Sequence, residues 1–194
     1  MAGDERRSSL AEHRRPGRQD ADGYFYLTGR KKELIIRGGH NIDPASIEEP
    51  LHRHPDVQIA AAVGRPDVHA GELPVAYVQL KPGACVTEDE LLSFAREQIT
   101  ERAAMPKAIK LVAAMPLTGV GKIFKPELRQ REIVDALRTA LEGAGAPASR
   151  LEVINDPRLG IRVEVAVAGS TYTDVAREVL GQFPLRFEVT WAIS

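Results

Sequence analysis

The tetrapeptide Thr87-Glu88-Asp89-Glu90 marks a helix start that leaves the chain little choice. A Thr three residues ahead of a Glu makes a capping box, in which each side chain satisfies a backbone N–H of the other's end, and Val86 ahead of it can pack on Leu91 as a hydrophobic staple. Leu91, Leu92, Ala95 and Ile99 then supply one apolar stripe. On either side lie short runs of strand character, Ile59 to Val63 and Leu73 to Leu80 before the helix and Ile109 to Val112 after it. Gly64-Arg65-Pro66-Asp67 and Gly71 read as the turn between the first two.

The same interleaving extends in both directions. Tyr24-Phe25-Tyr26-Leu27 and Leu34-Ile35-Ile36 read as an opening β-hairpin with Arg30-Lys31-Lys32-Glu33 at its tip. Asp43-Pro44 starts a helix, Asp as N-cap and Pro at the first helical position, with Ile47 and Leu51 four apart on its buried face. After a Gly-rich loop, Pro116 to Lys122, a helix runs from about Pro126 to Leu141 with Leu128, Val134, Leu137 and Leu141 inward. The fold expected is α+β, a small mixed sheet with flanking helices and a β-hairpin at the start. Residues 143–150, rich in Gly and Ala, read as a linker. Beyond it, Leu151 to Ile154, the alternating Ile161–Val167, a helix over Thr173–Leu180 with Val175, Ala176, Val179 and Leu180 inward, and Leu185–Val189 make a C-terminal β-β-α-β extension over 151–194.

Composition excludes several function classes. Twenty-six Lys and Arg against twenty-seven Asp and Glu leave a formal net charge of −1, which gives no electrostatic case for nucleic acid or a membrane surface. Aromatics at 5% are too few for base stacking. No apolar run approaches the ~20 residues of a membrane span. Residues 1–19 are Arg-rich and polar and read as a disordered leader, not a secretory signal. The lone Cys85 can make no internal disulfide and suits a reducing cytoplasm. No base accompanies it in sequence, which argues against a nucleophile.

Two segments carry chemistry. The first runs from Gly29-Arg30 through Lys32 and Gly38-Gly39-His40 to Glu48; the second is Pro116-Leu117-Thr118-Gly119-Val120-Gly121-Lys122-Ile123. Small residues around Lys122 give a loop whose tip can present an ammonium to a carboxylate, a phosphate or the charge developing between them. It is not a phosphate-binding P-loop, because the spacing is wrong and Ile123 follows the lysine. Taken alone, it reads as a solvated lysine in a surface turn. Gly38-Gly39 permits a close ligand approach or a tight turn with φ > 0. Arg30 and Lys32 alone read as solvated charges, and His40 lacks partner ligands at metal spacing, so no metal site is expected.

The two segments, in this order and with Val63-Gly64-Arg65-Pro66-Asp67 and Gly71-Glu72-Leu73-Pro74 between them, resemble the late core motifs of the adenylate-forming superfamily, most of all its acyl-CoA synthetases. The resemblance covers roughly Asp20 to Leu128 and implies that residues 20–142 are the mobile C-terminal lid domain of such an enzyme. That family converts acid, ATP and CoA to acyl-CoA, AMP and pyrophosphate. The resemblance implies Lys122 as the adenylation lysine, Arg30 as nucleotide-binding, Lys32 as the hinge, and Gly38 and Gly39 as a wall of the CoA tunnel. ATP with Mg and CoA would then act in a complete enzyme, with none held tightly by this chain. Where the family's Thr-Gly-Asp motif stands just upstream, this chain reads Arg14-Arg15-Pro16, and the phosphate loop and adenine motif are missing. The expectation is therefore a chain inactive alone, from a broken gene, a changed reading frame or an independently encoded remnant. Its expected partners are a separate ATP-binding N-terminal domain, CoA, and a second copy through the C-terminal extension. A non-enzymatic CoA- or protein-binding module and an inactive folded remnant are the competing readings.

Overall fold

A computed structural model describes residues 17–19, 25–27, 33–156 and 160–191. The expected α+β architecture is borne out. Strands β1 (Gly17–Gln19) and β2 (Phe25–Leu27) pair antiparallel with each other. The main sheet contains β3 (Ile35–Arg37), β4 (His40–Ile42), β5 (Val57–Asp67), β6 (Gly71–Leu80) and β7 (Ala108–Leu111). Its order is β4-β3-β6-β5, with β7 parallel to β6 and every other pairing antiparallel.

The opening hairpin differs from the expectation. Leu34–Ile36 does not pair with 24–27; Ile35–Arg37 instead folds back on His40–Ile42, and 25–27 pairs with residues 17–19. The reason lies in Gly38 and Gly39, whose φ values of 54° and 84° make a two-residue turn of the twist that adjacent antiparallel strands require. The leader assigned to 1–19 thus has strand at its end, and residues 1–16 lie outside the described residues, as do Arg30 and Lys32.

The β5–β6 hairpin is longer than expected. Gly64-Arg65-Pro66-Asp67 is not the turn but the last stretch of β5, paired with Gly71–Pro74 of β6. A Cβ on Gly64 would come within 2.6 Å of the Glu72 carboxyl, so only glycine admits that side chain across the ladder. Pro66 is tolerated because β5 is an edge strand. The turn itself is closed by the Asp67 carboxylate, which accepts the N–H groups of Ala70 (2.7 Å) and His69 (3.0 Å). These bonds, the Ala70 one foremost, hold the Asp67 carboxyl below the usual carboxylate range.

Both faces of the sheet are covered, which explains the unbroken buried runs in β5 and β6. Ala60, Ala62, Ala76 and Val78 face helices α1 (Ala45–His52) and α2 (Glu88–Gln98), where they meet Ile47, Leu51, Leu91 and Ala95. Asp43 Oδ1 accepts the Ala45 N–H at 3.0 Å, and Pro44 already has helical φ and ψ, so the Asp-Pro start operates as expected. The capping box is complete at Thr87 and Glu90, and bonds from the Thr87 N–H and hydroxyl hold the Glu90 carboxyl below its usual range.

Ala61, Val63, Val75 and Tyr77 point the other way, toward Leu128 of helix α3 (Lys125–Gly143) and toward Met115 in the loop before it. Ile133, not the expected Val134, takes the core position; Val134 is half-buried. The stretch expected as a linker is a turn between α3 and β8 (Ala148–Asp156), pinned by fully buried Ala146.

The extension is a three-stranded sheet ordered β10-β9-β8, with β9 (Gly160–Val167) central and joined to parallel β10 (Arg186–Trp191) through helix α4 (Thr173–Leu180). Ala176 and Leu180 face inward as expected, whereas Val175 is exposed. Ile133, Leu137 and Leu141 of α3 complete this second core with Val163, Val165 and Val167. One helix therefore serves two sheets.

Candidate functional site

The lysine loop is a tight hairpin, not a slack surface turn. Phe124 N–H donates to Pro116 O at 2.7 Å, Leu117 bridges Ile123, and Thr118 N–H donates to Lys122 O at 2.7 Å. The Gly121 N–H then closes on Thr118 O at 2.8 Å, and the Thr118 hydroxyl accepts the Lys122 N–H at 3.1 Å. Gly121, at φ 77°, takes a conformation that a side chain would strain. Lys122 is exposed, and no described carboxylate pairs with its ammonium. Leu117, Val120 and Phe124 beside it are exposed too, Val120 to 82%. Among the described residues the hairpin thus combines a cation that no carboxylate pairs with and three exposed apolar side chains.

The base of that hairpin is anchored. Lys125, the first residue of α3, places its ammonium 2.8 Å from Glu48 Oε1 and 3.7 Å from Glu33 Oε2. Glu48 Oε1 also accepts the Ala62 N–H at 2.7 Å, which ties α1, β5 and α3 together at one carboxylate.

Gly38 and Gly39 sit at an exposed turn, and a Cβ on either would meet nothing within 4 Å. Their identity follows from positive φ rather than from a neighbour pressed against them. Gly38 N–H donates to Ala70 O at 2.7 Å, and the Arg37 guanidinium donates to the carbonyls of Ala103 (2.9 Å) and Met105 (3.4 Å). The glycine turn is thus braced against the β5–β6 loop. The described structure contains Lys122, Gly38 and Gly39, and Arg30 and Lys32 fall outside it. His40 is exposed, and among the described residues no group of three or more His, Cys, Asp or Glu could hold a metal. Cys85 is exposed in a shallow depression that it shares with Glu88 and Asp89.

Sequence reading missed a buried cluster beneath α3. Glu132 is fully buried, and its carboxylate accepts from the Tyr77 hydroxyl at 2.7 Å, Arg65 at 3.0 Å and Lys110 at 2.6 Å. Lys110 also pairs with Asp135 at 2.8 Å. Burial, and then the bond to Glu132, push the Tyr77 hydroxyl far above the ordinary tyrosine range. Burial pulls Lys110 down, but the carboxylates of Asp135 and Glu132 outweigh it and the net shift is upward. One signal was available: Glu132 lies four residues after Leu128 and four before Ala136, on the buried stripe of α3. A second missed pair joins Arg129 to Glu72, whose other oxygen accepts the Ile36 N–H at 2.9 Å. Both clusters hold α3, and with it the Lys122 hairpin, on the sheet.

Among the described residues no helix is long and apolar enough to cross a membrane. The sequence profile of the AMP-binding enzyme C-terminal domain matches residues 46–122. Marinolic acid–CoA ligase of Pseudoalteromonas sp. (strain SANK 73390) is 47% identical over 79% of this chain, and a long-chain-fatty-acid–CoA ligase of Bacillus subtilis (strain 168) is 40% identical over 60% of it. This chain covers 24% and 20% of those two proteins, so it spans less than a quarter of their length. The stretch shared with the marinolic acid ligase is too long to end before Gly143 and includes part of the extension. The ATP-bound structure of MatB from Rhodopseudomonas palustris superposes with a TM-score of 0.56 at 32% identity, over 62% of this chain and 24% of that one.

Proposed function

We propose, on the premise that this chain carries the C-terminal domain of the adenylate-forming superfamily in its acyl-CoA-synthetase-like form, that it is the lid of an ATP-dependent acyl-CoA synthetase. Its relatives are acyl-CoA ligases, and family members act on ATP and CoA. In the first step a carboxylate oxygen of the acid attacks the α-phosphorus of ATP, and the bond to the departing pyrophosphate breaks. Lys122 lies near that exchange and compensates charge spread between carboxylate and phosphate. In the second step the CoA sulfur attacks the acyl carbonyl, its proton leaves, and AMP departs. The turn at Gly38 and Gly39 walls the CoA path, Arg30 contacts the nucleotide, and Lys32 is the hinge between the two poses. The described residues fit this division: the hairpin presents a free ammonium at one place and the glycine turn an open backbone at another.

The observation that carries the reading is the closed hairpin that holds Lys122 exposed, with no carboxylate partner among the described residues. Its partner in this account is an ATP-binding domain, encoded with it or apart from it, and its working compartment is the cytoplasm. A second copy could in addition pair through the extension. The test fuses the chain to the ATP-binding domain of a related ligase and follows each half-reaction. Lys122→Ala should slow adenylate formation by roughly 10²- to 10³-fold, the size of one preorganised electrostatic contact. Thioester formation from supplied acyl-adenylate should stay near normal. Equal loss in both steps would show that the lysine is structural. Robust AMP release by the chain alone would overturn the domain assignment.

A further inference from the structure

Lys125 stands where helix chemistry disfavours it. A cation in the first turn faces the positive end of the helix dipole, and Asp or Glu is the usual choice there. Residues that break a local rule repay a search for the interaction that compensates them. Here the compensation is the pair of carboxylates, Glu48 at 2.8 Å and Glu33 at 3.7 Å. Lys125 and Glu48 have side chains only 19% and 17% exposed, so this pair is shielded more than a surface ion pair.

Its place in the chain gives the pair a consequence. Phe124 N–H closes the hairpin on Pro116 O, so Lys125 is the first residue after the closed loop that carries Lys122. Glu48 is itself held, because the same oxygen that meets Lys125 accepts the Ala62 N–H of β5. Glu33 directly follows Lys32 and precedes β3. One ammonium thus joins the exit of the lysine hairpin, helix α1, strand β5 and the entry to β3.

From this geometry we infer that Lys125 is a positioning residue for Lys122: the link from Lys125 to Glu48 and Glu33 sets the direction in which the hairpin presents its ammonium. Lys125 touches no reacting atom and acts through the hairpin base. The inference rests on the reading of Lys122 as the adenylation lysine, and its test keeps the two separable.

The first arm uses the full chain without a partner. Lys125→Met should speed amide exchange at Thr118, Gly121, Lys122 and Phe124 by about fivefold, the effect of loosening one local contact, while β5 and β6 amides keep their wild-type rates. Lys125→Arg, which keeps the charge, should restore slow exchange. Glu48→Gln keeps an acceptor for Ala62 and should loosen the same four amides, and the double variant with Lys125→Met should be no worse than either single one. The second arm uses the fusion with a related ATP-binding domain. There Lys125→Met should slow adenylation by about 10- to 100-fold through misplacement alone, with the supplied-adenylate step unmoved and Lys125→Arg near wild type. Unchanged exchange, or loosened exchange with unchanged adenylation where Lys122→Ala is slow, overturns the inference. If Lys122→Ala is harmless in that fusion, the adenylation reading fails instead, and the exchange arm still decides whether Lys125 holds the hairpin.

Discussion

Replacing Glu132 by Ala should be among the most damaging single changes in the chain, although Glu132 belongs to no recognised motif. Its carboxylate is fully buried and takes three donors. Removing it does not strand all three equally. Arg65 and Lys110 have side chains 26% and 29% exposed, and water can take over their lost bonds. Tyr77 is only 3% exposed, so its hydroxyl loses its acceptor in the interior, at a cost of about 1–3 kcal/mol. With the packing lost around the missing side chain, the expected destabilisation is about 3 kcal/mol, the low end of the range for breaking a buried ion pair. Urea unfolding at neutral pH measures it, with an unchanged dependence on denaturant as the check that both states keep their compactness. The double variant Glu132→Ala/Tyr77→Phe should recover about 1 kcal/mol, because no hydroxyl is then orphaned. A Glu132→Ala shift below about 1 kcal/mol, or a double variant worse than the sum of its parts, would refute this account of how α3 is seated.

Four further outcomes follow from the same geometry. Leu137→Ala should cost about 2–5 kcal/mol, and removal of residues 148–194 should destabilise the rest of the chain, since Ile133, Leu137 and Leu141 would be uncovered; equal stability of the shortened chain by thermal melting would contradict the shared core. The lowered Asp67 carboxyl adds stability that is present above its unfolded pKa and lost as pH falls through its lower folded value, so Asp67→Asn should flatten the acid limb of a stability-versus-pH curve. Gly39→Leu blocks the proposed CoA path but also strains a residue at φ 84°, so Gly39→Asn, which tolerates that conformation, is the cleaner probe. In the fused enzyme it should slow thioester formation while sparing adenylation, and equal slowing of both steps would remove the glycine turn from the CoA path.

The parts of the fold that could be read from residues were those with a local cause. Thr87 with Glu90, and Asp43 with Pro44, act within four residues, and both helix starts stand where expected. The alternation from Ile161 to Val167 likewise carries its own period. What escaped was decided across the sheet. Gly64 and Pro66 look like turn residues, yet they lie in β5, because Glu72 opposite needs the space of a missing Cβ and because an edge strand tolerates proline. The hairpin partner of Ile35–Arg37 was misjudged for a related reason. From sequence the Gly38-Gly39 pair reads either as a close ligand approach or as a tight turn, and its role as a two-residue turn decides the register.

The site divides along the same line. A lysine among glycines is visible in sequence, but its significance came from resemblance, since no periodicity shows that the hairpin is closed at Pro116–Phe124 and Thr118–Lys122. The supports of that hairpin are ion pairs between residues far apart in the chain: Lys125 with Glu48, Arg129 with Glu72, Arg65 and Lys110 with Glu132. All of them engage α3, and so do both hydrophobic cores behind it. Any change that shifts α3 in either core must move the element from which Lys122 is presented. The extension therefore has a physical route to the proposed chemistry without contacting substrate, since it grips Ile133, Leu137 and Leu141 on the same helix that Lys125 begins.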